Sequence, residues 1–342
     1  MSHHDLERQA HRFLEALFDD LAKAGVVLEE HWDIDHLCFR TATEGEYEHY
    51  KKIFCGLGVL LVESDVNGRL IATVKLERPL SFRGQRIDVI EVPAPKRGKP
   101  TPTGFEHIEV VCDVPFAELE ARYPSATFDR KGLEKGYNQE LELCLGERNL
   151  KFHPTSLASV VTLERNAAVW AAIERSGVLS DLRALGPLVA GTFPLGLGVP
   201  DSDVDVLLSL EDLPGGLREF RERYGAYPEF SIEAVTVDGL PTVICRFRVD
   251  DVPFELFAQP RPAIRQTAYR HFLVEERLLK HGGTELRKRV RAERSAGAKT
   301  EEAFARALHL DGDPYQRLLE LQRLGGADLA RVITGAFGTE GR

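Results

Sequence analysis

The sequence predicts an α+β fold in two domains, the first built from a duplicated strand–helix–strands module and the second ending in a helical tail. Three observations predict it. At 342 residues the chain is about twice the size of a usual compact domain. In the first half, Asp35-His36-Leu37-Cys38-Phe39 and Glu106-His107-Ile108-Glu109-Val110 repeat one pattern of acid, histidine and strand. After Pro262 almost every stretch reads as helix. The domains are expected at 1–162 and 163–342, with the boundary near Val160 to Asn166.

Each element follows from local pattern. Leu6, Phe13, Leu14, Leu17, Phe18 and Leu21 recur at helical spacing, so Asp5 to Ala24 is an amphipathic helix. Ile34 to Thr41 is the first strand. Val59 to Ser64 and Leu70 to Leu76 flank Asn67-Gly68, a hairpin signal. Ile87 to Val92 is the fourth strand, and the Pro-, Gly- and Lys-rich stretch Pro93 to Gly104 is a connection. Strands resume at Glu106 to Cys112, Glu140 to Leu145 and Asn149 to His153. Helices are expected at Glu44 to Phe54 and Pro115 to Arg122.

Leu157 to Leu185 is helical. Strands follow at Leu188 to Gly191, Val204 to Leu210, Phe230 to Val237, Thr242 to Val249 and Val252 to Phe257, with a helix around Leu217 to Tyr224.

Composition excludes several classes. With 43% hydrophobic and 29% charged residues, the chain is an ordinary globular mixture and not a disordered or collagen-like one. A net charge of −10 argues against general nucleic-acid binding. The five cysteines are scattered, with no Cys-x-x-Cys pair, which points to a reducing, cytoplasmic setting. No apolar run is long enough to span a membrane, and the N-terminus carries no secretion signal.

The first chemical constellation is on strands. His36, Glu91 and His107 fall on three different strands, and His153 ends a fourth. Imidazole and carboxylate suit Fe, Ni, Mn or Zn where thiolates are not used. Two histidines and one acid leave positions open for a small molecule. The plain alternative is a set of hydrogen-bonded strand histidines.

The text around these residues carries a resemblance. Asp35-His36-Leu37-Cys38-Phe39-Arg40, Leu61 to Arg69, Gly104-Phe105-Glu106-His107-Ile108-Glu109 and Lys151-Phe152-His153-Pro154 resemble the YecM-like family of the vicinal oxygen chelate superfamily, which includes glyoxalases, bleomycin-resistance proteins and dioxygenases. The resemblance covers roughly Asp5 to Thr162. It implies paired βαβββ modules around a cleft, with metal ligands from the first and fourth strand of each module. Carried over, these are His36, Glu91, His107 and a residue near His153; glutamate is common at the last position, where this chain has Lys151-Phe152-His153.

The second constellation is Gly191-Thr192-Phe193-Pro194-Leu195-Gly196-Leu197-Gly198, followed by Asp201-Ser202-Asp203-Val204-Asp205. Aspartates at i and i+2 opening a strand share one face. Adjacent carboxylates repel, and a divalent cation relieves that. Glu255 is an acid within an apolar strand, where a partner or a metal is expected. Backbone N–H groups of a glycine loop can cradle a triphosphate, and three acids can hold Mg²⁺. No Gly-x-x-x-x-Gly-Lys-Ser/Thr occurs, so a P-loop is not the pattern. A solvated surface loop is the plain alternative.

This half resembles the DNA polymerase β-like nucleotidyltransferase superfamily, whose signature is Gly-Ser or Gly-Gly, a spacer, Asp-x-Asp or Asp-x-Glu and a later acid. Here Gly191-Thr192 stands for the first element. The residues Phe254 to Pro260, Ala268-Tyr269-Arg270-His271 and Gly312-Asp313-Pro314-Tyr315 are similar to a bacterial family of unknown function within it.

The resemblance implies catalytic Asp203, Asp205 and Glu255, with Gly191, Thr192 and Ser202 toward the nucleotide. Arg270, on a helix after the last strand, is read either as a phosphate contact or as an arginine paired within the protein. Tyr269 is read either as a base-stacking group or as core. The basic run Arg287-Lys288-Arg289-Val290-Arg291 is read as a solvated face or a phosphate contact.

The expected function is a Mg²⁺-dependent nucleotidyltransferase acting on a nucleoside triphosphate and an unknown acceptor, fused to a metal-binding domain that takes a small molecule. Two rivals stand beside it: a glyoxalase-type isomerase, lyase or oxygenase with an accessory second domain, and a non-catalytic binding protein.

Overall fold

In the computed structural model the described residues are 1–338 except 67, 97, 99 and 100. They form two sheets with helices packed on them.

Helix α1 (His3–Lys23) starts at Ser2, whose side chain and that of Asp5 cap each other's backbone N–H groups. Its buried face is Leu6, Ala10, Leu14, Leu17 and Leu21, the helical stripe that the sequence carries. The first module is β1 (Ile34–Arg40), α2 (Glu44–Cys55), β2 (Gly58–Asp65), β3 (Leu70–Phe82) and β4 (Gln85–Pro93). The second is β5 (Gly104–Val111), α3 (Phe116–Arg122), β6 (Phe128–Asp129), β7 (Leu141–Leu145) and β8 (Arg148–His153).

In each module the first strand runs parallel to the last: β1 beside β4, β5 beside β8. The modules join where β1 meets β5 antiparallel, giving the order β2-β3-β4-β1-β5-β8-β7-β6. This is the paired βαβββ architecture. The acid–histidine repeat is therefore a real duplication, with equivalent residues on the two central strands. Of the expected Asn67-Gly68 turn, Asn67 lies outside the described residues; β2 and β3 pair on either side of it, from Gly58↔Leu76 to Asp65↔Leu70.

Helices α4 (Leu157–Arg165) and α5 (Ala167–Ser176) lead into the second sheet. It contains β9 (Leu188–Ala190), β10 (Val204–Ser209), β11 (Ser231–Val237), β12 (Leu240–Val249) and β13 (Val252–Gln259), in the order β11-β12-β13-β10-β9. Only β10 and β13 are parallel. Between β9 and β10 the glycine-rich loop holds a single helical turn, α6 (Thr192–Leu195), too short for its periodicity to be read in sequence. Helix α7 (Leu213–Tyr224) covers the sheet. The tail is α8 (Thr267–Ser295), α9 (Thr300–Ala307), α10 (Pro314–Leu321) and α11 (Gly326–Gly338). Gly283, at φ +60° and ψ −148°, breaks α8 midway; a side chain there would strain the backbone.

Helix α8 also anchors the first sheet. Ser156 donates to Glu276 (2.7 Å), Lys280 donates to the Ile34 carbonyl (2.6 Å), and Arg277 bonds Asp33 (3.3 Å). Among the described residues, no helix is long and apolar enough to cross a membrane.

Candidate functional site

Strand register builds the first cluster. His36 pairs with Glu109 across β1 and β5, and Cys38 with His107; Cys38 also pairs with Glu91 on β4, and Glu109 with Lys151 on β8. Because strand side chains alternate, His36, Cys38, Glu91, His107, Glu109, Lys151 and His153 share one face. That face carries charge where its reverse carries the apolar core of Leu37, Phe39, Ile90 and Ile108.

Both repeats use the acid in the same way. His36 Nδ1 bonds Asp35 at 2.8 Å, and His107 Nδ1 bonds Glu106 at 3.0 Å. His153 Nδ1 meets the Thr155 carbonyl at 2.6 Å, which only an N–H can do. In each ring the Nε2 atom is thereby turned inward. The Nε2 atoms of His36 and His153 are buried and have no hydrogen-bond partner.

Glu109 is the hub. Its carboxylate lies 3.6 Å from His36 Nε2, 3.3 Å from His107 Nε2, 3.7 Å from His153 Nε2 and 3.1 Å from Lys151 Nζ. Burial opposes charge on His36, His107, Glu109 and Lys151, yet mutual pairing wins. Burial lowers the His36 pKa, but the Glu109 charge and the bond to Asp35 lift it to about 10. Burial would raise Glu109, but Lys151 and His36 hold it well below the usual carboxylate range.

The fit to a metal can be judged from this donor set. Neighbouring ligands on one ion with bonds of about 2.0–2.2 Å stand roughly 3–3.5 Å apart. The spans from Glu109 to His36 and His153 are close to that, and orphaned imidazole nitrogens are what a cation would satisfy. The Asp35–His36 bond is the carboxylate support that metal-bound histidines use.

The four expected ligands do not gather as one group. His36 groups with Glu91 and Glu109, and also with Asp35 and His153; His107 groups with Cys38 and Glu106. The register explains the split, since it sets His107 opposite Cys38 and not opposite His36. The position equivalent to Glu91 in the second module is Lys151, an ion-pair partner of Glu109 (3.1 Å) and Glu140 (3.2 Å). Asp35 and Glu109 were not expected as site residues; the period-2 spacing of His107 and Glu109 is the signal that points to the latter.

The second cluster centres on Asp205. It stands beside Glu255 in the parallel β10–β13 pair and beside Ala190 of β9. Gly191 follows at φ +73°, and a Cβ there would collide with the Asp205 carboxylate. Burial, then the charges of Asp203 and Glu255, push the Asp205 pKa well up. The acidic field extends to Glu301 and to Glu275 of α8, which is 3% exposed and has an oxygen with no partner. Sequence reading missed Glu275, because it sits in a buried helical stretch like any core residue.

Other expected residues are placed less simply. Asp203 precedes β10, because Ser202 closes a turn by accepting the Val199 N–H (2.9 Å). Glu255 has its partner: Arg246, opposite it on β12, bonds it at 2.8 Å. Among the described residues, Asp203, Asp205 and Glu255 are not a trio of ligand atoms within 4.8 Å. Thr192 is buried at the start of α6. Arg270 bonds Gln322 (2.7 Å), and Tyr269 is core, donating to the Pro154 carbonyl. In the basic run, Arg287 and Arg291 donate to the Leu195 and Gly196 carbonyls at the end of α6.

Comparison with known proteins finds two separate matches along the chain. Residues 2–143 match the YecM protein family, and residues 171–321 match a domain family of unknown function, DUF4269. An uncharacterized protein of Haemophilus influenzae is 38% identical over 101 residues, 30% of this chain and 52% of that protein, so the chain spans about half the length of this relative. Protein YecM of Escherichia coli is 28% identical over 179 residues, 48% of this chain and 94% of that one.

Among solved structures, the structural-genomics protein EC4020 is 26% identical with a TM-score of 0.38, covering 44% of this chain and 86% of its own. The Cid1 poly(U) polymerase is 13% identical with a TM-score of 0.30, covering 45% and 46%. Two separate stretches of the chain thus match family models, and the first is YecM-like.

Proposed function

We propose that this protein is a Mg²⁺-dependent nucleotidyltransferase, residues 163–342, joined to a glyoxalase-fold domain, residues 1–162, that holds a divalent transition metal. The observation that carries the first part is the crowding of acids around the buried Asp205 carboxyl. Its pKa is pushed well up by burial and by Asp203 and Glu255, and a glycine leaves room against its carboxylate. A cation bound by Asp203 and Asp205 relieves that repulsion. Mg²⁺ there supplies charge neutralisation for a polyphosphate.

This chain's own residues then divide the work. Gly191 and Thr192, at the start of α6, would offer their backbone N–H groups to the phosphates. Glu255, oriented by Arg246, accepts the proton that an attacking hydroxyl loses as its oxygen bonds the α-phosphorus and pyrophosphate leaves. The test is binding. Equilibrium dialysis with Mg²⁺ and labelled nucleoside triphosphates is expected to show retention by the wild type and loss in Asp203→Ala/Asp205→Ala. Equal behaviour of the two proteins refutes the reading.

For the first domain, the unpartnered Nε2 atoms of His36 and His153 around Glu109 support a transition-metal site. Lys151, fixed beside the same carboxylate, gives the face a permanent positive group suited to a small anionic or oxygenated molecule. Metal analysis of the purified protein against His36→Ala tests this part separately.

A further inference from the structure

A cavity of about 260 Å³ lies where the two halves meet. It is walled by Asp35 and Val89 from the first sheet, Arg165 of α4, Leu195 of α6 and Arg287 of α8. Apart from Asp35, none of the residues assigned above to metal or nucleotide lines it. Its size is near the lower end for small-molecule sites, about 300 Å³ upward.

The wall carries five carboxylates and five lysine or arginine side chains, but they are unevenly paired. Every carboxylate there already has a donor or a cation. Asp33 faces Arg277 and His281, both at 3.3 Å. Asp35 accepts from His36 and from the Leu157 N–H, both at 2.8 Å. Asp113 accepts from Trp32 at 2.7 Å, and Asp88 faces Lys75 at 3.5 Å. Glu276 accepts from Ser156.

Two cations on the same wall lack such a partner. Arg287 donates to the Leu195 carbonyl and Arg165 to the Leu61 carbonyl, and among the described residues neither forms an ion pair. Arg287 is partly buried and also feels Arg291; burial and that repulsion lower its pKa. A guanidinium in such a place is stabilised by an anion more than by carbonyls alone. Apolar side chains, among them Val89, Leu195 and Leu279, line the wall between its polar groups.

We propose that this cavity binds a small organic anion, a carboxylate or phosphate monoester on an apolar body, with its charge on Arg287 and Arg165. Binding here requires neither site to be catalytic. The occupant touches both nonetheless. Asp35 holds His36, and Leu195 belongs to the same helical turn as Thr192. An anion in the cavity therefore rests on supports of both clusters.

The experiment is ¹⁹F NMR on the full chain, with 4-fluorobenzoate and 4-fluorophenyl phosphate as probes and 4-fluorobenzyl alcohol as the neutral control. At least one anion is expected to bind, and the alcohol to bind more weakly. Arg287→Gln is expected to weaken the anion by about tenfold or more, Arg287→Lys to keep most of the affinity, and Lys288→Gln, on the exposed side of α8, to change nothing. Arg165→Gln, at an exposed position, reports the same effect should Arg287→Gln fail to fold. The proposal is overturned if neither anion binds, if the alcohol binds as well as the anions, or if a folded arginine variant binds them as the wild type does.

Discussion

His36 and Glu109 face each other across the β1–β5 pair, with Nε2 and Oε1 3.6 Å apart and nothing hydrogen-bonded to that nitrogen. In the metal-free protein this is a charged pair buried in the cleft. A divalent cation there would be held by the Glu109 carboxylate and the deprotonated His36 nitrogen.

The first prediction concerns this group. His36→Ala and His153→Ala are expected to abolish stoichiometric transition metal, measured by elemental analysis after purification. Asp35→Asn, which loosens the His36 ring without removing a ligand, is expected to lower metal affinity by about 10–100-fold. Unchanged metal content in both histidine variants would remove the site.

Gly191→Ala is the second. The backbone at φ +73° and ψ −153° is a glycine conformation, and the added methyl would strike Asp205. The strain alone is worth about 1–3 kcal/mol. Chemical denaturation is expected to show at least that loss, together with lost nucleotide retention. Wild-type stability and retention would contradict the packing of this loop.

Asp205 supplies the third. Its raised pKa means that the ionised carboxylate destabilises the metal-free fold at neutral pH. Asp205→Asn is expected to raise the melting temperature without divalent cations and to eliminate the rise that Mg²⁺ gives the wild type. A variant that melts lower and still responds to Mg²⁺ would place the ion elsewhere.

Glu276 gives a pH dependence. Burial, opposed by bonds from Ser159 and Ser156, pushes its carboxyl up to about 7. The folded form then binds a proton that the unfolded form has released, so stability is lost as pH rises from about 4.5 to about 7. Glu276→Gln is expected to flatten this part of the stability profile, read by urea denaturation at several pH values. An unchanged slope would mean that the carboxylate is ionised in its pocket.

Much of this was readable from the sequence because the signals were local. The acid–histidine repeat announced the duplicated module, and the pairing of His36 with Asp35 and His107 with Glu106 follows from adjacency. Glu109 was harder, because its importance comes from β1, β5 and β8 meeting, which no single segment shows. Glu275 and Arg287 lie in helical text whose periodicity marks burial but not what is buried against what. Glu255 was legible as an acid needing a partner; that the partner is Arg246 depends on the β12–β13 register.

The central claim is tested most directly by turnover. Purified protein with Mg²⁺, α-labelled nucleoside triphosphates and a pool of acceptor proteins, RNAs and metabolites is predicted to release pyrophosphate and move the label onto an acceptor. Asp203→Ala/Asp205→Ala protein is predicted to do neither, with its transition metal still in place. Label transfer at equal rates by the two proteins, or none by the wild type with any triphosphate, would contradict the assignment.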